Sequence, residues 1–247
     1  MTSKLTFVDR PSPNRDDRPD GRKVDILILH YTGMETAQAA IDRLTDPEAR
    51  VSAHYTIDED GTVYRHVPEG RRAWHAGVSH WAGADQVNDR SVGIEIVNPG
   101  HEFGYRKFPE RQMQSVIALS NEVIERHNIP AARVLGHSDV APSRKMDPGE
   151  KFDWRWLSQE GIGVWLNEVP FDTGPSVDAT SAGPEIRRVQ SLLADFGYGV
   201  PRSGEYDQET TDVVTAFQRH FRQHKVDGIA DAETITTLEA LLKVVQK

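Results

Sequence analysis

Val134-Leu135-Gly136-His137-Ser138-Asp139-Val140-Ala141-Pro142-Ser143-Arg144-Lys145-Met146-Asp147-Pro148-Gly149 is the stretch on which the reading of this chain turns. The short run Arg133 to Leu135 ends at Gly136, so His137 is expected where a strand gives way to a loop. Pro142 and Pro148 stiffen that loop, which can fold Asp147 back toward His137. An imidazole nitrogen and a carboxylate oxygen are two of the three protein ligands that a catalytic zinc takes, its fourth position being left for water. The third should be a His on a neighbouring strand end. His30, which closes the apolar run Asp25-Ile26-Leu27-Ile28-Leu29, fits.

Composition narrows the classes. The 247 residues suffice for one medium domain and a small one. A formal net charge of −9 with no basic stripe argues against a nucleic-acid partner. No cysteine is present, so disulfides and thiolate sites are excluded and any metal must use His, Asp or Glu. No apolar run approaches the ~20 residues that a membrane span needs. The opening residues Met1-Thr2-Ser3-Lys4-Leu5-Thr6-Phe7 lack an apolar segment of the secretory type, which favours the cytoplasm, with the periplasm or the wall as the alternative. Nothing in the sequence implies a protein partner.

Residues 8–23, rich in Pro, Asp and Arg, read as an extended, solvated arm. Val24 to Leu29 reads as a buried strand and Gln38 to Leu44 as a helix. Val51 to Ile57 and Thr62 to Val67 flank Asp58-Glu59-Asp60-Gly61, a hairpin signal. Residues 68–90 show no periodicity and read as a long functional loop. Ser91 to Val97 is a strand with one charge inside it, Glu95. Pro109 to His127 is the clearest helix, Pro109 suiting its first turn. The expected fold is α/β, a mixed central sheet flanked by helices over residues 1–167. A Pro/Gly/Ser/Thr-rich linker follows over 168–184, then a small three-helix domain over 185–247, with helices at Glu185 to Phe196, Gln208 to Phe221 and Ala232 to Val245.

Five motifs occur in order: Leu29-His30-Tyr31-Thr32, Ser52-Ala53-His54-Tyr55, Arg72-Ala73-Trp74-His75-Ala76-Gly77, Gly93-Ile94-Glu95-Ile96, and Gly136-His137-Ser138-Asp139 leading to Lys145-Met146-Asp147-Pro148-Gly149. Together, over residues 20–160, they resemble the zinc-dependent N-acetylmuramoyl-L-alanine amidases, in particular the branch of anhydromuramyl-peptide amidases of peptidoglycan recycling. Residues 185–245, through Val189-Gln190-Ser191-Leu192-Leu193, Gly197-Tyr198, Ala216-Phe217-Gln218 and Asp227-Gly228-Ile229-Ala230-Asp231, resemble the peptidoglycan-binding helical module. Related recognition proteins and phage amidases often place Cys where this chain has Asp147.

The resemblance implies hydrolysis of the amide between N-acetylmuramic acid, or its 1,6-anhydro form, and L-alanine, in peptidoglycan or muropeptides. It implies Zn2+ held by His30, His137 and Asp147. Glu95 would be the proton shuttle, and Lys145, on the same face as Asp147 in an extended segment, would stabilise the oxyanion. The blander readings are half of a structural ion pair for Glu95 and a plain surface residue for Lys145. Arg144 would point elsewhere, to a substrate carboxylate or to solvent. Tyr31, Trp74 and Asn98 are candidate walls of the substrate groove. His75 either meets substrate or supports the metal ligands, and His54 packs close by. His66, His80, His101, His127, His220 and His224 read as exposed or loop histidines, and Phe196, Tyr198, Phe217 and Phe221 as core of the helical module. A phage-type lytic amidase and a non-catalytic recognition protein are the competing readings.

Overall fold

The computed structural model describes residues 5–19, 21–169 and 174–245. Its organising element is the strand Ile26–Tyr31, whose Ile26, Leu27, Ile28 and Leu29 are each at most 1% exposed. Side chains alternate across a strand, so this unbroken apolar run demands cover on both faces. The strand pairs in parallel with Ser91–Ile96 on one side and Val134–Gly136 on the other. Tyr55–Ile57 continues the sheet in parallel from Ser91–Ile96, and Val63–Arg65 returns antiparallel to it as the expected hairpin. Phe7–Asp9 forms the far edge, so the six-stranded sheet ends in a three-residue strand on each side.

Leu27 and Leu29 face the helix Glu110–His127, whose Met113, Val116, Leu119 and Val123 recur at helical spacing and are buried. Pro109 sits just before the helix as its N-cap rather than within its first turn. Asn128, left-handed at φ 54°, ends the helix with its N–H bonded to the Ile124 carbonyl.

Ile26 and Ile28 look the other way, into one continuous apolar core with Leu135, Val140 and the three C-terminal helices. These helices run Gly183–Phe196, Gln208–Phe221 and Ala232–Val245. Phe196, Tyr198, Phe217 and Phe221 are buried among them, as expected. Their partner was not foreseen. Trp81, 2% exposed and carried by the loop after Trp74, reaches the ring of Tyr198 at 5.0 Å and that of Phe196 at 6.1 Å. Residues 170–173 of the expected linker lie outside the described residues. Beyond them Val177 pairs with Ala230 through both backbone hydrogen bonds.

Most side chains of the N-terminal arm are exposed, as expected, but its backbone is anchored to the fold. Phe7–Asp9 joins the sheet and Arg15–Asp17 pairs antiparallel with Arg71–Ala73. Ser12 and Asn14 are buried, Asn14 Nδ2 donating to the carbonyls of Asp46 and Val51 at 2.8 Å each. The Arg18 guanidinium donates to the carbonyls of Glu69, Asn88, Asp89 and Ser91 at 2.8–3.1 Å. The polar residues of the arm thus satisfy carbonyls of two distant segments, Asn14 those after the first helix and Arg18 those of the long loop, which composition alone does not reveal. That loop is correspondingly ordered, with short strands at Arg71–Ala73, His80–Trp81 and Ala84–Asp85.

The shared core predicts that Trp81→Ala costs about 3–5 kcal/mol, and that the full chain melts in a single calorimetric transition. Two resolved transitions would show that the helical unit folds apart from the sheet.

Candidate metal centre

The strand register builds the site. Gly136 pairs opposite Leu29 and Glu95 opposite His30, and the three strands are parallel, so His30, Glu95 and His137 emerge at one sheet edge. That carboxyl-terminal edge is where open α/β sheets bind ligands. Asp147 returns to the same place because its carbonyl accepts the Ser138 N–H at 2.9 Å. Gly136 permits the return: a Cβ there would lie 2.8 Å from Pro148 Cδ.

His30 Nδ1, His137 Nδ1 and Asp147 Oδ2 converge, with separations of 2.9 Å between the nitrogens and 3.1 and 3.0 Å to the oxygen. All three residues are buried. A four-coordinate ion with ligands at ~2.0–2.1 Å needs ligand atoms about 3.3 Å apart, so the separations match to within a few tenths of an ångström. The outer nitrogens select the tautomers. The His137 Nε2–H donates to the Ala76 carbonyl at 3.1 Å, which leaves the Nδ1 lone pair of the neutral ring pointing inward. His30 Nε2 meets His75 Nδ1 at 3.0 Å, and His75 Nε2 meets Ser91 Oγ at 3.2 Å. With each N–H of this relay donating outward, His30 also presents a bare Nδ1. Three acceptors then face one space with no donor among them, an arrangement that a cation completes.

Charge agrees with geometry. Burial, then the neighbouring His137, lowers His30 to about 4. Burial and His30 push His75 well below its usual range. Burial raises the Asp147 carboxyl, but positive charge and N–H donation from the His137 and His30 side outweigh it and hold Asp147 below the usual carboxylate range, so the group is balanced only with a proton, or a cation in its place, among the three. Glu95 goes the opposite way: burial and the Asp147 charge push it well above its ordinary value, Lys145 opposing, and its Oε2 is buried with no hydrogen-bond partner.

A cavity of about 350 Å³ opens over this group. Tyr31, Trp74, His75, Glu95, His137, Arg144, Lys145 and Asp147 all line it, and His30 lies beneath. Two groove residues are fixed by outside partners. Trp74 Nε1–H donates to Asp16 at 2.6 Å, and the Tyr31 hydroxyl meets His101 Nδ1 at 3.0 Å. Arg144 lines the same cavity as Lys145 instead of pointing away, because Nη2 donates to the carbonyls of Ala76 and Val78. His75 stands behind His30, in space that Gly93 leaves open: a Cβ at Gly93 would come within 2.4 Å of His75 Nδ1.

Asn98 does not belong to the groove wall. It is fully buried, its amide donating to the Arg106 carbonyl and its Oδ1 accepting the Gly100 N–H, so it shapes the turn before His101. His101, read as an ordinary loop histidine, lines the cavity. It is stacked on Tyr105 at 4.3 Å with its Nε2–H donating to Glu150 at 3.2 Å. Its position just past the Glu95 strand was the available signal. His66 and His220 are also buried, against expectation.

Two buried histidines outside the metal group set a pH dependence. His54 accepts the Gly93 N–H at Nδ1 and donates from Nε2 to the Arg71 carbonyl, and His66 accepts from Thr56 and donates to the Arg10 carbonyl. His54 is satisfied only as a neutral ring, because its Nδ1 must accept the Gly93 N–H; the Thr56 hydroxyl can also accept, so for His66 it is burial that disfavours the charged ring. Burial lowers His54 to about 3 and lowers His66 as well. The unfolded chain, with His near 6.5, therefore binds more protons below that pH, so stability rises with pH. The contribution is complete above about pH 6.5 and is lost as pH falls below it. The melting temperature should be level above pH 7 and fall from pH 6.5 to 4; a level profile down to pH 4 would contradict neutral burial.

Residues 20–150 match the family described as N-acetylmuramoyl-L-alanine amidase, and residues 182–238 a putative peptidoglycan binding domain. N-acetylmuramoyl-L-alanine amidase AmiD of Escherichia coli (strain K12) is 35% identical over 233 residues, 90% of this chain and 83% of the relative. The 1,6-anhydro-N-acetylmuramyl-L-alanine amidase AmpD of Citrobacter freundii is 37% identical over 161 residues, 58% of this chain and 84% of the relative. Among solved structures, AmiD from E. coli in complex with the substrate anhydro-N-acetylmuramic acid-L-Ala-D-gamma-Glu-L-Lys superposes with a TM-score of 0.76 at 33% identity, covering 92% of each chain. AmpDh3 from Pseudomonas aeruginosa gives 0.77 at 30% identity, covering 94% of this chain and 96% of that one.

Proposed function

Since the chain belongs to the N-acetylmuramoyl-L-alanine amidase family, we propose that it hydrolyses the amide between 1,6-anhydro-N-acetylmuramic acid, or N-acetylmuramic acid, and L-alanine in muropeptides released from the wall. The observation that carries the reading is the convergence of His30 Nδ1, His137 Nδ1 and Asp147 Oδ2 beside an unpartnered Glu95 carboxyl. Zn2+ is the ion proposed for the three ligands; when bound it polarises the amide carbonyl and makes water acidic enough to attack near neutral pH. His75 and Ser91 keep the His30 lone pair turned inward, and the Ala76 carbonyl does the same for His137.

Glu95 is the proposed proton carrier. It takes a proton from the attacking water and delivers it to the leaving nitrogen of L-alanine, a task suited to a carboxyl whose proton affinity burial has raised. Lys145 is proposed to offset the charge that develops on the carbonyl oxygen. Tyr31, Trp74 and Arg144 are the proposed groove walls, Arg144 also tying the Trp74 loop to the ligand loop. His75 is proposed to act through His30 and not on substrate.

Catalysis is assigned to residues 1–167 and wall recognition to residues 185–247, joined by 168–184. No helix among the described residues is long and apolar enough to cross a membrane. A preference for small anhydro-muropeptides would suit recycling in the cytoplasm, and one for intact sacculi would suit work at the wall.

Glu95→Gln should retain zinc and lose turnover by about 10²–10⁴-fold; near wild-type turnover would remove Glu95 from the proton path. Muropeptides with and without the anhydro end, digested and read by mass spectrometry, should release the intact stem peptide beginning at L-Ala. A chelator should stop that release. Absence of release from either substrate by zinc-loaded protein would favour recognition without hydrolysis.

A further inference from the structure

Asp139 lies two residues past His137, takes no part in the chemistry above, and is 1% exposed. Its carboxylate accepts three hydrogen bonds. Oδ2 takes the Gly136 N–H at 2.7 Å and the His220 Nδ1–H at 2.7 Å, and Oδ1 takes the Tyr198 O–H at 2.6 Å. The first donor belongs to the strand end that delivers His137. The other two belong to the C-terminal helical unit, 59 and 81 positions away in sequence.

Both remote donors are held firmly. The His220 ring is sandwiched between Trp154 and Phe221, its centroid 3.8 Å from each. Its Nε2 is buried with no hydrogen-bond partner, so stacking and the single bond to Asp139 set its orientation. Tyr198, 2% exposed, packs edge-on against Trp81 at 5.0 Å. On the far side of Asp139, Ser138 N–H bonds the Asp147 carbonyl. The turn anchored by Asp139 therefore carries His137 directly and Asp147 through Ser138. Burying a carboxylate is costly unless donors surround it, and two of the three donors here come from outside the catalytic region.

We propose that Tyr198 and His220 are positioning residues of the amidase reaction: through Asp139 they hold the turn bearing His137 and Asp147 in metal-binding geometry. The helical unit is then a structural part of the active site as well as a wall-recognition domain. This rests on the reading of His137 and Asp147 as metal ligands. Supports behind metal ligands are worth 10–100-fold in affinity, which sets the scale of the effect.

The test uses the full chain, with zinc titrated against a chromogenic chelator, alongside kcat and KM on an anhydro-muropeptide. Tyr198→Phe and His220→Leu should each weaken zinc by about 10–100-fold and lower kcat at sub-saturating zinc, with KM little changed. His220→Asn, which returns an N–H near the place of Nδ1, should recover most of the affinity that His220→Leu loses. Leu241→Ala, in the core of the same unit, should lower the melting temperature and leave zinc affinity unchanged. Wild-type zinc affinity in Tyr198→Phe and His220→Leu would overturn the proposal, as would an equal loss in Leu241→Ala. Tight zinc binding by His137→Ala would instead sink the ligand reading beneath it.

Discussion

Parallel pairing of Ile26–Tyr31 with both of its neighbours is the constraint from which the rest of the molecule follows. Parallel strands end at the same sheet edge, so two histidines and a glutamate from distant parts of the chain arrive together at strand ends. The register is specific because a slip of one residue turns a strand's side chains to the opposite face. Ile28 and Leu29 belong to different cores, and exchanging them would break both. The energy that fixes the site is therefore mostly apolar burial far from any reacting atom.

Around His30, His137 and Asp147, polar partners refine what burial establishes. A ring nitrogen is useful to a metal only as a lone pair, and each outer nitrogen here has a neighbour that takes the proton. For His137 that neighbour is a backbone carbonyl, which can only accept. For His30 it is a second histidine, whose own far nitrogen reaches Ser91 on the adjacent strand. Low proton affinity in His30 and His75 and high proton affinity in Glu95 arise from the same dry environment, read by groups of opposite charge type.

Much of this was legible in the sequence because the carriers are local. The apolar runs ending in His30 and His137 mark strand ends, and Glu95 stands out as the one charge in its strand. Asp147 follows from two prolines and its spacing from His137. What escaped the sequence was non-local polar bonding. Ser12, Asn14 and Arg18 look like part of a solvated arm until their partners, backbone carbonyls 32 to 73 positions away in separate segments, are known. Asn98 and His101 exchanged expectations for a different reason, the local turn geometry: the Asn98 amide is consumed by nearby backbone groups, while the His101 imidazole faces the cavity. His220 could not be read as buried, because its partner Asp139 lies in the other structural unit.

The sheet closes on each side with a strand of three residues. An open edge exposes unpaired backbone groups that can recruit a strand from another molecule, and short edge strands limit how many such bonds form. At one edge Asp9 is paired with Arg65 of the neighbouring strand, so an incoming strand would meet charge. At the other edge the strand Val134–Gly136 is buried and the chain turns at once into the segment carrying His137 and Asp147, which leaves little backbone for a stray strand to reach. The cover that buries the strand leading to His137 thereby also guards the molecule against edge-to-edge aggregation.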